Sequence, residues 1–389
     1  MIQSLLKKYS FIFSPRDVFF GRLFCFLVMM GTDAHIFSLL NREMTVVIIY
    51  KKRKGKREER NRTRRCKKMD KKTKVLISYN QKGGVAKTTT CVNLAQILGD
   101  IYHKKVLLID SDPQNSLSFL ANVDISQSGA LASETGIPDL GYLEGMFQWY
   151  GDVCDADDLR RTIITPKYVK RVRVPGTIEW TNEECDFAFD LLPGYDSDLS
   201  LVEMLFVAPT DEPWILAPDN RKYARYMMKM IVDRIKEYYD YDYIIIDCPP
   251  SLGIISINAL VAGDYLFIPT TPDMLSTVGI NVIIRNLNDL KLYVPDFNIL
   301  GILFGSYAGT KADDELIRDV EEYGREQNIN VFRTRIPRIN AMRNISSEEG
   351  IAVLNSNKAF RNYRASIISL AEEILAQTEG KMPEKEDER

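Results

Sequence analysis

Asn80-Gln81-Lys82-Gly83-Gly84-Val85-Ala86-Lys87-Thr88-Thr89-Thr90 decides the fold of this chain. It follows the apolar run Val75-Leu76-Ile77 and precedes Val92-Asn93-Leu94-Ala95-Gln96-Ile97-Leu98, whose spacing predicts a helix. Strand, glycine turn, Lys-Thr and helix form the arrangement that cradles a nucleoside triphosphate. Glycine at 83 and 84 lets main-chain N–H groups approach phosphates closely. The helix N-terminus adds partial positive charge, Lys87 has the reach for the β/γ-phosphates, and the Thr88 hydroxyl suits Mg²⁺. Lys82 is an addition, because an ordinary phosphate loop requires no charge at that point.

Two more apolar runs end in carboxylates. Val106-Leu107-Leu108-Ile109 leads into Asp110-Ser111-Asp112-Pro113-Gln114, and Tyr243-Ile244-Ile245-Ile246 leads into Asp247-Cys248-Pro249-Pro250-Ser251. Unbroken apolar runs of this length predict strands buried on both faces of a parallel sheet. Their carboxylates then emerge at the C-terminal strand ends, where open α/β sheets bind ligands. Taken singly, Asp-Pro also starts ordinary turns and a strand-end aspartate can merely cap the next helix. Together with the loop upstream they predict an α/β fold, a doubly wound and mostly parallel sheet with crossover helices.

Lys-Gly-Gly-x-x-Lys-Thr resembles the deviant Walker A motif of the ParA/MinD family of P-loop ATPases, and the likeness extends from about Lys74 to Leu375. The resemblance implies bound ATP with Mg²⁺, held by Lys82, Gly83, Gly84, Val85, Ala86, Lys87, Thr88 and Thr89, with Pro337 near the adenine. It implies that Lys82 crosses a homodimer to the partner's ATP and that Asp112 positions the attacking water, with Asp110 an orienting or Mg²⁺-shell group. It further implies that Asp247 and Thr88 serve the metal and that the Pro249-Pro250 turn senses the γ-phosphate. Hydrolysis is expected to be slow and stimulated by a partner. The chain departs from the family at Ala86, where glycine is usual; a helical conformation there would make alanine harmless, and that conformation is the expectation. It departs again at Gly305-Ser306-Tyr307, where the usual base-contacting Asn is missing.

In the partition branch of that family, basic residues near the C-terminus bind DNA nonspecifically and a centromere-binding, ParB-like adaptor triggers hydrolysis. Arg338 and Arg343 are the corresponding candidates here, with Arg333, Arg335, Arg361 and Arg364 nearby. The division branch binds membrane through a basic terminal helix. This chain has Pro383 and an acid-rich tail, which anionic lipid would repel, so no membrane partner is expected. Iron–sulfur branches need cysteine spacings that Cys25, Cys66, Cys91, Cys154, Cys185 and Cys248 do not supply. The resemblance therefore favours a cytoplasmic, nucleoid-associated ATPase switch that segregates plasmid or chromosome DNA. The alternative is an ATP-dependent scaffold that positions a protein cargo.

The net charge of −2 over 389 residues conceals an asymmetry. Residues 1–68 carry 17 Lys/Arg against 5 Asp/Glu, leaving 34 against 48 in the remainder. Any DNA contact on the acidic body must come from a local patch. The segment 1–68 is expected to be a basic, disordered extension or a mis-assigned start ahead of Met69, followed by an ATPase domain over 69–378 and an acidic tail over 379–389. An insertion over about 124–220 contains Arg171–Trp180, whose alternation predicts an exposed hairpin.

Overall fold

The computed structural model describes residues 73–123, 159–160, 162–173, 179–194, 226–290, 297–339, 351–355 and 357–380. The chain divides into Met1–Lys71 and Lys72–Arg389, and every described residue belongs to the second unit. Nine strands are present among them: β1 (Lys74–Ser78), β2 (Val106–Asp110), β3 (Lys167–Arg173), β4 (Trp180–Asp186), β5 (Asp190–Leu192), β6 (Tyr243–Asp247), β7 (Tyr265–Thr270), β8 (Asn298–Tyr307) and β9 (Val331–Pro337). The helices are α1 (Lys87–Asp100), α2 (Ser116–Leu120), α3 (Met227–Tyr238), α4 (Ile254–Ala262), α5 (Met274–Leu290), α6 (Lys311–Glu326) and α7 (Arg361–Glu379).

Seven strands form one parallel sheet in the order β5-β2-β6-β1-β7-β8-β9. The apolar runs around the motifs become its centre: β2 and β6 are buried along their whole length and β1 is buried after Lys74. Alternation along each strand feeds two separate cores. Val75, Ile77, Leu107, Ile109, Ile244 and Ile246 pack with α3, α4, α5 and α6 on one face. Leu76, Val106, Leu108, Tyr243 and Ile245 pack with α1, α2 and α7 on the other. The layers are helix, sheet, helix, as the continuous hydrophobic strands require. Because the strands are parallel, β1, β2, β6 and β7 deliver their C-terminal residues to one end of the sheet.

The opposite end is closed by the last helix. Glu379 forms ion pairs with Lys74 at 3.3 Å and Lys104 at 3.0 Å and accepts a hydrogen bond from the Tyr243 hydroxyl at 2.8 Å. Partial burial raises the Glu379 pKa, but Lys104, Tyr243 and Lys74 more than reverse that and hold it below the ordinary value.

The exposed hairpin expected over Arg171–Trp180 is present with wider bounds, its strands running over Lys167–Arg173 and Trp180–Asp186. Strands β3 and β4 pair antiparallel with Lys167 opposite Asp186 and Arg173 opposite Trp180, as a two-stranded sheet separate from the main one. Leu191 and Leu192 lie in β5, the edge strand beside β2.

Candidate phosphate-binding site

The loop between β1 and α1 is tied down from below. Buried Asn80 donates from Nδ2 to the Pro269 carbonyl at the end of β7 (2.7 Å), and its Oδ1 accepts from the Lys82 N–H (2.8 Å). Gly84 has φ +73°, and a methyl group built on either Gly83 or Gly84 meets no heavy atom within 4 Å. The loop's surface is thus open at the two residues where a phosphate would have to approach the main chain. Helix α1 begins at Lys87 with no acidic residue in its first turn, so its N–H groups and dipole face that opening uncompensated. Lys87 is buried, and its Nζ donates to the Lys82 carbonyl at 3.3 Å.

Ala86 corrects an expectation. It is the N-cap of α1 with φ 62° and ψ 29°, in the left-handed region, and is not helical. Between Gly84 and the first helical turn, the backbone takes left-handed conformations at Gly84 and Ala86, on either side of Val85. An alanine there carries the strain that glycine escapes.

The two aspartate motifs converge on this loop, and their roles separate. Asp110 is fully buried, and its Oδ2 accepts from the Ser118 N–H (2.8 Å) and hydroxyl (2.7 Å). Its Oδ1 accepts from the Asp112 N–H at 3.3 Å. Both oxygens are committed to the turn that carries Asp112, so Asp110 orients that turn. Burial raises its pKa to about 6 against the opposing Ser118 hydrogen bonds. Asp112 is 9% exposed and its Oδ1 accepts from the Gln114 N–H at 3.0 Å. Gly194 closes against the same turn, since a Cβ there would stand 2.2 Å from Asn115 Oδ1. The end of the Leu191–Gly194 segment thus packs directly on the aspartate turn.

Asp247 ends β6 in register with both Ser78 and Asp110. It has no solvent exposure; Oδ1 accepts from the Cys91 thiol at 3.7 Å, and Oδ2 has no hydrogen-bond partner. Complete burial drives its pKa up to about 8; the Thr88 hydroxyl and Lys87 oppose the rise, and Asp110 and Asp112 add to it. An orphaned buried carboxylate oxygen beside a threonine hydroxyl is a costly arrangement by itself. It fits a divalent cation with oxygen ligands, so the donor set of Thr88 and Asp247 passes the chemical test for Mg²⁺.

Lys82 does not point into the phosphate loop. Its Nζ lies 2.8 Å from both Asp273 carboxylate oxygens and 2.9 Å from Ser276 Oγ, at the start of α5. Partial burial raises the Asp273 pKa, but hydrogen bonds from Lys82, Thr271 and Ser276 outweigh it and hold the carboxyl well below the usual range. Asp273, Thr271 and Ser276 were not singled out from sequence. Their signal was positional, since Thr271-Pro272-Asp273 directly follows a strand that ends beside β1.

At the other edge, Pro337 pairs with Tyr307 where β8 and β9 end, and the Arg338 N–H donates to the Tyr307 carbonyl at 2.9 Å. Arg338 is exposed, whereas Arg343 lies outside the described residues. Arg335 is engaged internally: it reaches Glu321 and the Phe332 carbonyl and stands 5.5 Å from the Phe304 ring centroid. Ser306, within the Gly305-Ser306-Tyr307 segment, has φ 53°. No helix among the described residues is long and apolar enough to cross a membrane.

A glycine loop heading a helix, with aspartates closing two neighbouring parallel strands, defines a P-loop nucleoside triphosphatase. The family model described as an AAA domain matches residues 73–299. Sporulation initiation inhibitor protein Soj of Bacillus subtilis is 30% identical over 268 residues, covering 68% of this chain and 84% of Soj. Chromosome partitioning protein ParA of Caulobacter vibrioides is 27% identical over 267 residues, covering 68% of this chain and 80% of ParA. Cobyrinic acid a,c-diamide synthase of Mycobacterium smegmatis, solved with an ATP analogue and magnesium, superposes with a TM-score of 0.55 at 24% identity, over 82% of this chain and all of that one. This last likeness is one of fold. The chain belongs to the ParA/MinD family of P-loop ATPases.

Proposed function

We propose that this chain is a Mg²⁺-dependent ATPase that works as a dimerisation switch in DNA partition. ATP joins two copies, the pair binds DNA nonspecifically through Arg338 and Arg343, and a ParB-like adaptor provokes hydrolysis and release. The observation that carries this reading is the division of labour between two lysines. Lys87 is buried at the floor of the loop, while Lys82 stands at its rim, 40% exposed, with its ammonium on Asp273. A lysine so placed is turned away from the phosphates of its own copy, and an anion arriving from outside would have to displace Asp273 to reach it. The name of the Caulobacter vibrioides relative, chromosome partitioning protein ParA, supports the assignment to partition.

The residues divide the chemistry as follows. Lys87 and the N–H groups from Gly83 to Thr89 bind and orient the triphosphate, and Pro337 borders the base. Thr88 and Asp247 hold the Mg²⁺ ion, which when bound supplies neutralisation of phosphate charge. Asp112, on a turn fixed by Asp110, positions a water for in-line attack. His103 precedes β2 and so lies at the opposite end of that strand from Asp112, whose own carboxylate is a weak base, which suits a slow turnover that a partner accelerates.

Light scattering of the full chain with ATP and with ADP, followed by DNA binding across a salt titration, tests the reading. A dimer with ATP alone that binds DNA supports partition. A dimer that ignores DNA in both nucleotide states replaces partition with the positioning of a protein cargo.

A further inference from the structure

The β3–β4 ribbon takes no part in the phosphate site, yet its composition is unusual. Strand β3 reads Lys-Tyr-Val-Lys-Arg-Val-Arg, four basic residues in seven with no acid, on an acidic body. Its neighbour starts at Trp180, which is 56% exposed. Neither strand contains a buried residue.

The register sorts these side chains by face. Lys167, Val169, Arg171 and Arg173 share one face with Asp186, Glu184, Asn182 and Trp180. At the root of that face Lys167 and Glu184 form an ion pair at 2.6 Å. The outer half of that face therefore presents two guanidinium groups, an indole and an amide, with exposed Glu179 beside Trp180 at the end of the ribbon. Arg171 lies 5.7 Å from the Trp180 ring centroid. The root is rigid: Tyr168 packs on Phe187 at 4.9 Å and Phe187 on Phe189 at 5.0 Å, both phenylalanines being buried, and Asn122 donates to the Lys167 carbonyl at 3.3 Å. The ribbon joins the sheet at the start of β5, away from the strand ends that carry the phosphate loop.

We propose that the outer half of this face is a second DNA-binding surface, one that works without nucleotide. A two-stranded ribbon fits the roughly 12 Å major groove, arginines pair with phosphates or guanine edges, and asparagine suits adenine. Charge argues against a second copy as the occupant, because antiparallel self-pairing along either open edge would set β3 against β3 or β4 against β4, like charge on like. The inference stands apart from the ATP-dependent dimer, since its residues lie at the other end of the strands from Lys82.

The test uses the full chain without nucleotide and a 30-base-pair duplex. Because residues 1–68 carry their own basic excess, the readout is the difference between variants of one chain. Losing two phosphate contacts at about 0.9 each makes the log–log salt slope of Arg171→Ala/Arg173→Ala shallower by about 1.8. The ratio of wild-type to variant affinity then shrinks about 12-fold between 50 and 200 mM salt. Arg171→Lys/Arg173→Lys restores the slope. DNA quenches tryptophan emission, and Trp180→Phe removes that quenching, a readout that holds even if the alanine variant folds poorly. An unchanged slope, or quenching that survives Trp180→Phe, overturns the proposal. Equal quenching by polyglutamate overturns it in favour of an acidic protein partner.

Discussion

Replacing Ala86 by glycine should stabilise the nucleotide-free protein. With φ 62° and ψ 29°, Ala86 sits where an L-residue with a Cβ loses roughly 1–2 kcal/mol relative to its preferred backbone. Glycine removes that strain but gives the unfolded chain more freedom, which takes back about 0.4–1 kcal/mol. Ala86 is half-buried, and its Cβ is 3.8 Å from the position a Cβ on Gly305 would occupy. The net gain is about 0.5–1 kcal/mol, which for a chain of this size raises the melting temperature by roughly 1–3 °C. The mirror substitution, Gly84→Ala at φ +73°, meets no atom within 4 Å and should lower it by a similar amount through backbone strain alone. Scanning calorimetry without nucleotide compares all three proteins. A lower melting temperature for Ala86→Gly would show that the methyl group supports the loop, and would refute the strain argument.

Lys87→Ala should abolish ATP binding in titration calorimetry, since the only buried ammonium at the loop is lost; binding within tenfold of wild type contradicts its placement. Lys82→Ala should retain ATP binding but lose the ATP-dependent dimer in light scattering, and wild-type dimerisation by this variant would sink the proposed role. The same variant removes the cation from Asp273, so the Asp273 carboxyl, followed by NMR, should titrate at higher pH than in wild type. Glu379 is held below its ordinary value of 4.5, so it contributes stability above that pH, and the contribution fades as pH falls through the folded value. Glu379→Gln should accordingly destabilise near pH 7 and weaken the loss of stability on acidification below about 4.5; parallel pH profiles for the two proteins would contradict this.

Much of the architecture could be read from three apolar runs, because strands buried on both faces leave few alternatives in composition. Val75–Ile77, Val106–Ile109 and Tyr243–Ile246 each became a central strand, and the carboxylates after two of them lie where a parallel sheet must bring them. The roles of Asp110 and Asp112 were harder to read. They stand two residues apart, and the choice between an orienting and a Mg²⁺-shell place for Asp110 turns on Ser118, which hydrogen-bonds it from both N–H and hydroxyl. Ala86 was misread because backbone sense at a helix start depends on how the preceding glycines turn, and residue identity reports that weakly in a loop. The partner of Lys82 lies 191 residues away, on a segment whose nearness follows only from β7 lying beside β1. No local pattern carries such a pairing.

The sheet also acts as a spacer. Strand β1 is five residues long, about 16 Å at 3.3 Å per residue, and it separates the Glu379 clasp from the phosphate loop. That distance exceeds the roughly 7–10 Å over which substitutions interact. Charges at the two ends are therefore nearly independent variables. Selection could retune the fastening of the last helix without altering the affinity of the loop, and an engineer could strengthen one end while leaving the other end's chemistry as it was.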